Sequence, residues 1–239
     1  MISGFVIFMT LENTRTYKDF IFSRFSRLFP TYWVCVTITA ILTITWKYVV
    51  KMPITFPTLK DYFINLTMIQ YYFGVNDIDG PYWTLCIELF FYLLMLTFLL
   101  SNTLRKIEII GFCIVLTSLI YGTIIRLYFP RVYELLNFYI PFLSYSHLFF
   151  AGIIFYKVKF NKATLIRYLI LLFCLIVQIA IYTTRVKVHI ALSNSEYSLA
   201  LSSFFIIFYL YYLNKLSYIL NPVSLFLGKI SYSLYLIHQ

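Results

Sequence analysis

The sequence has few charged residues. Only 12% of its 239 residues are Asp, Glu, Lys or Arg, whereas soluble domains usually carry about 25%. The apolar residues make up 62% of the chain and lie in long runs rather than in alternation. This composition excludes an ordinary soluble domain and predicts helices that cross a membrane several times.

Cysteine is scarce, and its positions exclude two kinds of site. The spacing of the four cysteines fits neither a disulfide framework nor a metal site, so we expect no metal and interpret them as small buried side chains. They are Cys35, Cys86, Cys113 and Cys174. The sequence also lacks internal repeats and low-complexity tracts. We therefore interpret residues 1–239 as a single membrane domain.

The net charge of +10 does not indicate nucleic acid. No basic patch accompanies an RNA- or DNA-binding motif, so we exclude nucleic acid as a partner. The loops on one side of the predicted spans carry twelve basic and three acidic residues, and those on the other side carry seven and five. The more basic side is predicted to be cytoplasmic.

The hydrophobic pattern predicts an all-α, polytopic transmembrane helix bundle. About eight membrane segments are expected, at residues 1–12, 31–50, 84–101, 108–128, 138–156, 165–184, 197–213 and 222–239. The first and last are incomplete, and we expect the chain to be truncated at both ends. Residues 62–74 are too short to span and too apolar for free solution, which predicts an interfacial or re-entrant helix.

The stretch FIFSRFSRLFPTYW, residues 20–33, carries two arginines before a predicted span. Arg24 and Arg27 are three residues apart and would share a helix face. Two guanidinium groups about one turn apart suit phosphate oxygens. The alternative is anchoring of the loop at the cytoplasmic side, for which any Lys or Arg would serve. Pro30 suits the first turn of the next span.

A carboxylate lies inside the apolar run GPYWTLCIELFFYLL, residues 80–94. Burying it in hydrocarbon costs roughly 2.5–3.5 kcal/mol on insertion scales, which makes Glu88 a candidate site residue. Trp83 marks the outer interface, about 7 Å away along a helix. Thr84 and Tyr92 are spaced to hydrogen-bond the carboxylate. A structural ion pair or a protonated packing residue is the alternative.

Two histidines are further candidates. His238 follows Ser231 and Tyr232 in LGKISYSLYLIHQ, residues 227–239, and could transfer protons near neutral pH. The alternative is an interface residue. His147 is a polar residue within the apolar segment 138–156 and could line a site. The alternative interpretation is that it forms an interhelical hydrogen bond.

Four stretches, taken in order, resemble the acyltransferase-3 family, which contains membrane O-acyltransferases of O-antigen, peptidoglycan, exopolysaccharide and related glycans. SGF at residues 3–5 resembles the family's second-span motif, and FSRFSRLFPTYW resembles its cytoplasmic RxxR loop. YWTLCIELFFYL resembles its Trp-Ser-Leu-x-x-Glu stretch, with Thr84 in place of Ser. GKISYSLYLIH resembles its terminal span. The resemblance covers essentially the whole chain.

The resemblance implies an enzyme of the bacterial inner or plasma membrane that moves an acyl group, usually acetyl, from acetyl-CoA to a hydroxyl of a surface glycan. It implies no bound cofactor; the partners would be membrane lipid, acetyl-CoA and the glycan. Arg24 and Arg27 would bind the donor, and Glu88 would act catalytically, orienting a base or binding the acceptor, with His238 as a second catalytic candidate. The expected site-lining residues are Trp83, Tyr92, His147, Ser231 and Tyr232.

One departure from the family pattern concerns the base. The resemblance places the family's catalytic histidine in a span upstream of the SGF stretch, and His147, His189 and His238 all lie elsewhere. We therefore expect the chain as given to be an inactive fragment unless that span precedes it. Two alternatives stay open: a transporter or exporter of a glycan or small anion, and a non-catalytic remnant of the family.

Overall fold

The computed structural model consists of helices joined by turns. It describes residues 1–14, 16–53, 55, 57–184, 193–219 and 221–236. These ranges contain no β-strand, and the all-helical prediction is confirmed. The α-helices in them are α1 (Ile2–Asn13), α2 (Tyr17–Val49), α3 (Leu59–Asn65), α4 (Trp83–Leu100), α5 (Ile107–Ile120), α6 (Arg126–Tyr128), α7 (Pro130–Tyr139), α8 (Ser146–Phe160), α9 (Leu165–Thr183), α10 (Asn194–Tyr212) and α11 (Pro222–Leu236).

The chain forms two compact units. Unit 1 comprises Met1–Tyr17 and Leu93–Ile219, and unit 2 comprises Lys18–Tyr92 and Leu220–Gln239. Unit 2 therefore holds α2, α3, the first half of α4, and α11. That residues 1–239 act as a single membrane domain stays a prediction.

Four helical stretches within the described ranges are long and apolar enough to cross a membrane. They are Tyr17–Val49, Gly80–Leu100, Leu104–Tyr128 and Leu165–Thr183. They match the predicted segments 31–50, 84–101, 108–128 and 165–184, and α1 is a shorter apolar helix. Large apolar side chains are exposed along them, as lipid contact requires; examples are Leu42, Leu93, Ile109 and Leu169.

Helix α2 begins earlier than predicted. It starts at Tyr17, so most of the expected loop 13–30 is helical, and the placement of Pro30 in a first turn is wrong. Proline removes one backbone donor, which a long membrane helix tolerates. The early turns continue the helix because one face is buried at i, i+4 and i+8 spacing, by Phe20, Arg24 and Leu28.

The predicted segment 138–156 is not one helix. Helix α7 ends at Tyr139, a 3₁₀ turn covers Pro141–Ser144, and α8 begins at Ser146. Proline disfavours helical geometry at the residue before it, and Ile140 has φ −134° and ψ 65°. Pro141 therefore ends one helix and delays the next.

The predicted interfacial helix at 62–74 is also divided. Helix α3 ends at Asn65, and a 3₁₀ turn follows at Gln70–Phe73. Met68 between them has φ 62°, a left-handed conformation that interrupts a right-handed helix. The segment is thus two short helical pieces joined by a turn.

Helix α8 forms the centre of unit 1. Most of its residues from Ser146 to Val158 are buried, which agrees with its largely apolar sequence. Two glycines allow α1 to approach it closely. A Cβ at Gly4 would lie 2.0 Å from the Phe149 carbonyl oxygen, and one at Gly152 would lie 2.0 Å from the Met1 carbonyl oxygen.

Candidate functional site

The two predicted donor-binding arginines lie on α2 in unit 2 but differ in burial. Arg24 is buried, and its guanidinium lies over the rings of Phe20 and Tyr92, 5.8 and 5.7 Å from their centroids. Arg27 is exposed. Such cation–π contacts hold a guanidinium in place at an apolar surface. Arg27 is thus open to a ligand, whereas Arg24 is packed among aromatic rings.

Glu88 is half-buried on α4, one turn before Tyr92. The Tyr92 hydroxyl donates to Glu88 Oε1 at 2.7 Å, which confirms one of the two hydrogen bonds that the spacing suggested. The Thr84 hydroxyl instead donates to the Pro81 carbonyl at 2.8 Å and lies 2.6 Å from the Tyr235 hydroxyl. Tyr92 therefore touches both an arginine and the carboxylate.

Helix α11 brings Tyr232 to this cluster. Tyr232 lies within electrostatic range of both Glu88 and Arg27, and its hydroxyl is 3.4 Å from the Leu28 carbonyl oxygen of α2. The Ser231 hydroxyl donates to the Gly228 carbonyl of its own helix. We define the acid–base cluster as Arg24, Arg27, Glu88, Tyr92 and Tyr232.

The other predicted site residues have separate placements. Trp83 is exposed at the start of α4. His238 lies outside the described residues. Their assigned roles, like those of the acid–base cluster, stay predictions.

His147 belongs to unit 1 and is fully buried. Its Nδ1 lies 3.1 Å from the Ser118 hydroxyl, and its Nε2 contacts the Gln178 amide. The Ser118 hydroxyl also donates to the Leu143 carbonyl at 2.8 Å. Gln178 also contacts the Tyr197 hydroxyl. This network joins α5, α8, α9 and α10, so the interhelical hydrogen bond considered for His147 is present.

A buried asparagine organises the segment that precedes α4. Asn65 Nδ2 donates to the carbonyls of Asp61 and Asn76 at 2.9 and 3.1 Å, and its Oδ1 accepts from the Ile78 amide at 3.1 Å. Tyr32 of α2 donates to the Asn65 carbonyl at 2.7 Å. These bonds fix the backbone just before the first turn of α4.

Asp77 in the same segment is more readily protonated than a solvated aspartate. Burial raises the pKa of its carboxyl above the usual range, and a 2.5 Å hydrogen bond from Gln70 Nε2 partly opposes this. By contrast, the Thr58 hydroxyl and backbone amide lower the pKa of Asp61, with which Thr58 forms the capping box of α3.

The sequence analysis missed a charged cluster in unit 1. Glu108 accepts from Lys157 Nζ at 2.9 Å and from Arg167 Nη2 at 2.7 Å. Arg167 Nη1 also donates to the Lys157 carbonyl at 3.1 Å. The cluster joins α5, α8 and α9 and is structural, since both cations already face the carboxylate. Glu108, Lys157 and Arg167 are far apart along the chain, so no local sequence pattern could have predicted that they meet.

No metal site is apparent in the part of the chain that the structure describes. No group of three or more His, Cys, Asp or Glu side chains there could hold an ion. In the acid–base cluster, in contrast, Tyr92 contacts both the Arg24 guanidinium and the Glu88 carboxylate. The cluster can bind an anion at one end and orient a hydroxyl at the other.

Comparison with known protein families identifies the family of this chain. A family model described as an acyltransferase domain (Acyl_transf_3) matches residues 1–239. The chain belongs to the acyltransferase-3 family. No curated protein and no solved structure matches it significantly. The acyltransferase-3 match confirms the resemblance read from the four sequence stretches.

Membership of the acyltransferase-3 family makes this chain a membrane acyltransferase in general terms. The structure gives one of the recognised stretches a physical role. In SGF, Gly4 is the residue that lets α1 meet the α8 backbone. A side chain at this position would separate the two helices.

Proposed function

We propose that this acyltransferase-3 protein moves an acetyl group from cytoplasmic acetyl-CoA to a hydroxyl of a bacterial cell-surface glycan. The observation that supports it most is the linked contact in unit 2. The Arg24 guanidinium lies over the Tyr92 ring, and the Tyr92 hydroxyl donates to Glu88. A guanidinium and a carboxylate are thereby joined through a single side chain.

Arg27 provides the first contact for the donor. Its exposed guanidinium lies on the loop side of α2 that the charge distribution predicts to be cytoplasmic. A guanidinium binds phosphate oxygens with two parallel hydrogen bonds, which suits the phosphates of CoA. Arg24, held by Phe20 and Tyr92, supplies positive charge deeper along the same helix.

Glu88 serves the acceptor side. Acyl transfer forms a bond between the glycan hydroxyl oxygen and the acyl carbon and breaks the thioester C–S bond, and the hydroxyl proton passes by way of a base to the departing thiolate. Tyr92 occupies Glu88 Oε1. Oε2, which has no hydrogen-bond partner among the described residues, orients that base or accepts from the acceptor hydroxyl. His238 is a candidate for the base.

Arginine replacements in the full-length cellular protein test the donor assignment. We expect Arg27→Ala and Arg24→Ala to reduce alkali-released acetate on the surface glycan at least ten-fold while the protein remains in the membrane. Arg27→Lys separates the two explanations, because lysine keeps the anchoring charge but loses the bidentate geometry. It should retain the membrane level of the protein and lose most of the acetylation.

Arg105→Ala is the matched control, since it removes an exposed arginine of unit 1 on the same predicted side. It should leave acetylation unchanged. Full acetylation in Arg27→Lys would contradict a specific role in donor binding. Loss of the whole glycan, rather than of its acetyl groups, in any of the variants would indicate an exporter instead.

A further inference from the structure

Unit 2 contains a cavity that the acid–base cluster does not include. It has a volume of about 560 Å³, within the range of small-molecule sites. One wall is a single stripe of α2, and the other is the segment before α4. The lining residues are Ile38, Thr39, Leu42, Thr43, Trp46, Ile78 and Asp79.

The lining combines an aromatic plane with oxygen groups. Trp46 is 66% exposed, so its ring is free to stack with a ligand. Thr39 and Thr43 add hydroxyls one turn apart, and Asp79 adds a carboxylate. Sugar rings present a C–H face that packs on indole and hydroxyls that donate to carboxylates. Apolar planes with a few placed polar groups are typical of such sites.

The Asp79 carboxylate is positioned and partly available. Its Oδ1 accepts from the Gly80 amide at 2.8 Å, which caps the 3₁₀ turn Gly80–Tyr82. Oδ2 has no hydrogen-bond partner within the described part of the chain. The Asn65 bonds fix the neighbouring Ile78 backbone. The carboxylate is therefore held by the fold with one oxygen left for a ligand.

A buried tyrosine, Tyr82, lies beside the cavity. The hydroxyls of Thr39 and Tyr82 are 3.4 Å apart, and Tyr82 is fully buried. Tyr232 lies within electrostatic range of both Tyr82 and Glu88. A ligand at Thr39 would thus lie next to Tyr82, which interacts electrostatically with Tyr232 of the acid–base cluster.

We propose that this cavity is a subsite for a sugar ring of the acceptor glycan, with Trp46 as the stacking plane and Asp79 as the hydroxyl acceptor. The inference rests on the proposed acyltransfer to a glycan. It extends that proposal by assigning recognition of the acceptor to α2 and to the segment before α4. The loop charges predict that this end of α2 faces outward, where a surface glycan is available.

Acceptor kinetics in membranes containing the full-length protein test the subsite. The acceptor is the cell's own surface glycan, de-acetylated with mild alkali, and the donor is radiolabelled acetyl-CoA. We expect Trp46→Ala to raise the KM for glycan at least ten-fold and to leave the KM for acetyl-CoA unchanged. Asp79→Asn should raise the glycan KM several-fold, and its amide oxygen keeps the helix cap.

Tyr48→Ala is the matched control, because it removes another exposed aromatic ring of α2 that does not line the cavity. It should leave both constants unchanged. An interfacial anchoring role for Trp46 predicts that Trp46→Ala and Tyr48→Ala behave alike. Wild-type acceptor KM in Trp46→Ala, with active transfer, would overturn the subsite while leaving the proposed function intact.

A wild-type protein that transfers no acetyl group would refute the proposed function. The sugar subsite is then tested by measuring glycan binding directly. The de-acetylated glycan is titrated against purified protein in detergent. Binding that weakens at least ten-fold in Trp46→Ala but not in Tyr48→Ala supports a sugar site. The sugar site is overturned if both variants bind equally or if the wild type does not bind. Displacement of the glycan by glycerol 3-phosphate would also overturn it, because it would indicate a lipid headgroup site.

Discussion

Gly4→Ala probes the contact between α1 and α8 in unit 1. The new Cβ would lie 2.0 Å from the Phe149 carbonyl oxygen, and ordinary contact begins at 3.4 Å. Because the obstacle is a backbone atom, no side-chain rotation relieves it. The helices would have to separate by about 1.4 Å at this point.

The expected loss of stability follows from two opposing effects. Overpacking of this kind costs ~1–3 kcal/mol, and the better helix propensity of alanine recovers about 1 kcal/mol. Because the new Cβ is attached to the α1 backbone and meets the α8 backbone, we expect a cost at the upper end of that range and a net loss of about 2 kcal/mol. For a chain of this length that lowers Tm by roughly 4–8 °C.

The effect is measured by thermal unfolding of the detergent-purified protein, monitored as the loss of its monodisperse peak in size-exclusion chromatography. Gly228→Ala in α11 is the control, because a Cβ there has no atom within 4 Å, so only helix propensity acts and Tm should be unchanged or higher. Gly152→Ala meets the Met1 carbonyl oxygen at 2.0 Å. Combined with Gly4→Ala it should cost less than the sum, since one separation relieves both clashes. A Gly4→Ala Tm equal to that of Gly228→Ala would refute the reasoning.

Two further predictions concern the segment before α4. Asn65→Ala removes three hydrogen bonds, including that from the Ile78 amide, and should lower the free energy of unfolding in denaturant by roughly 3 kcal/mol. The control Asn76→Ala keeps the backbone carbonyl that Asn65 uses and should cost almost nothing. Equal losses of stability in the two variants would contradict the network. Because the folded-state pKa of Asp77 is raised, its ionised form destabilises the fold, and this penalty disappears as the pH falls through that pKa. Asp77→Asn, which keeps an acceptor for Gln70, should therefore raise Tm at pH 7 by an amount that shrinks towards pH 4, and a pH-independent difference would argue against burial as the cause.

Properties that depend on neighbours along the chain were predictable. The apolar runs indicated helices, because the backbone must satisfy its own hydrogen bonds in lipid. The spacing of Glu88 and Tyr92 indicated their contact, because residues four apart meet on a helix. Four stretches in order were enough to recognise the acyltransferase-3 family. Pro30 and Pro141 show the limit of such local signals, since only the second one ends a helix.

Contacts between distant parts of the chain required the folded structure. Arg24 and Arg27 have the same local pattern, yet packing buries one against Tyr92 and leaves the other exposed. The cavity forms because the segment before α4 lies against the stripe of α2 that contains Trp46. Local spacing determines which side chains share a helix face. Which residues that face contacts depends on how several helices pack together, and no single stretch of sequence encodes this packing.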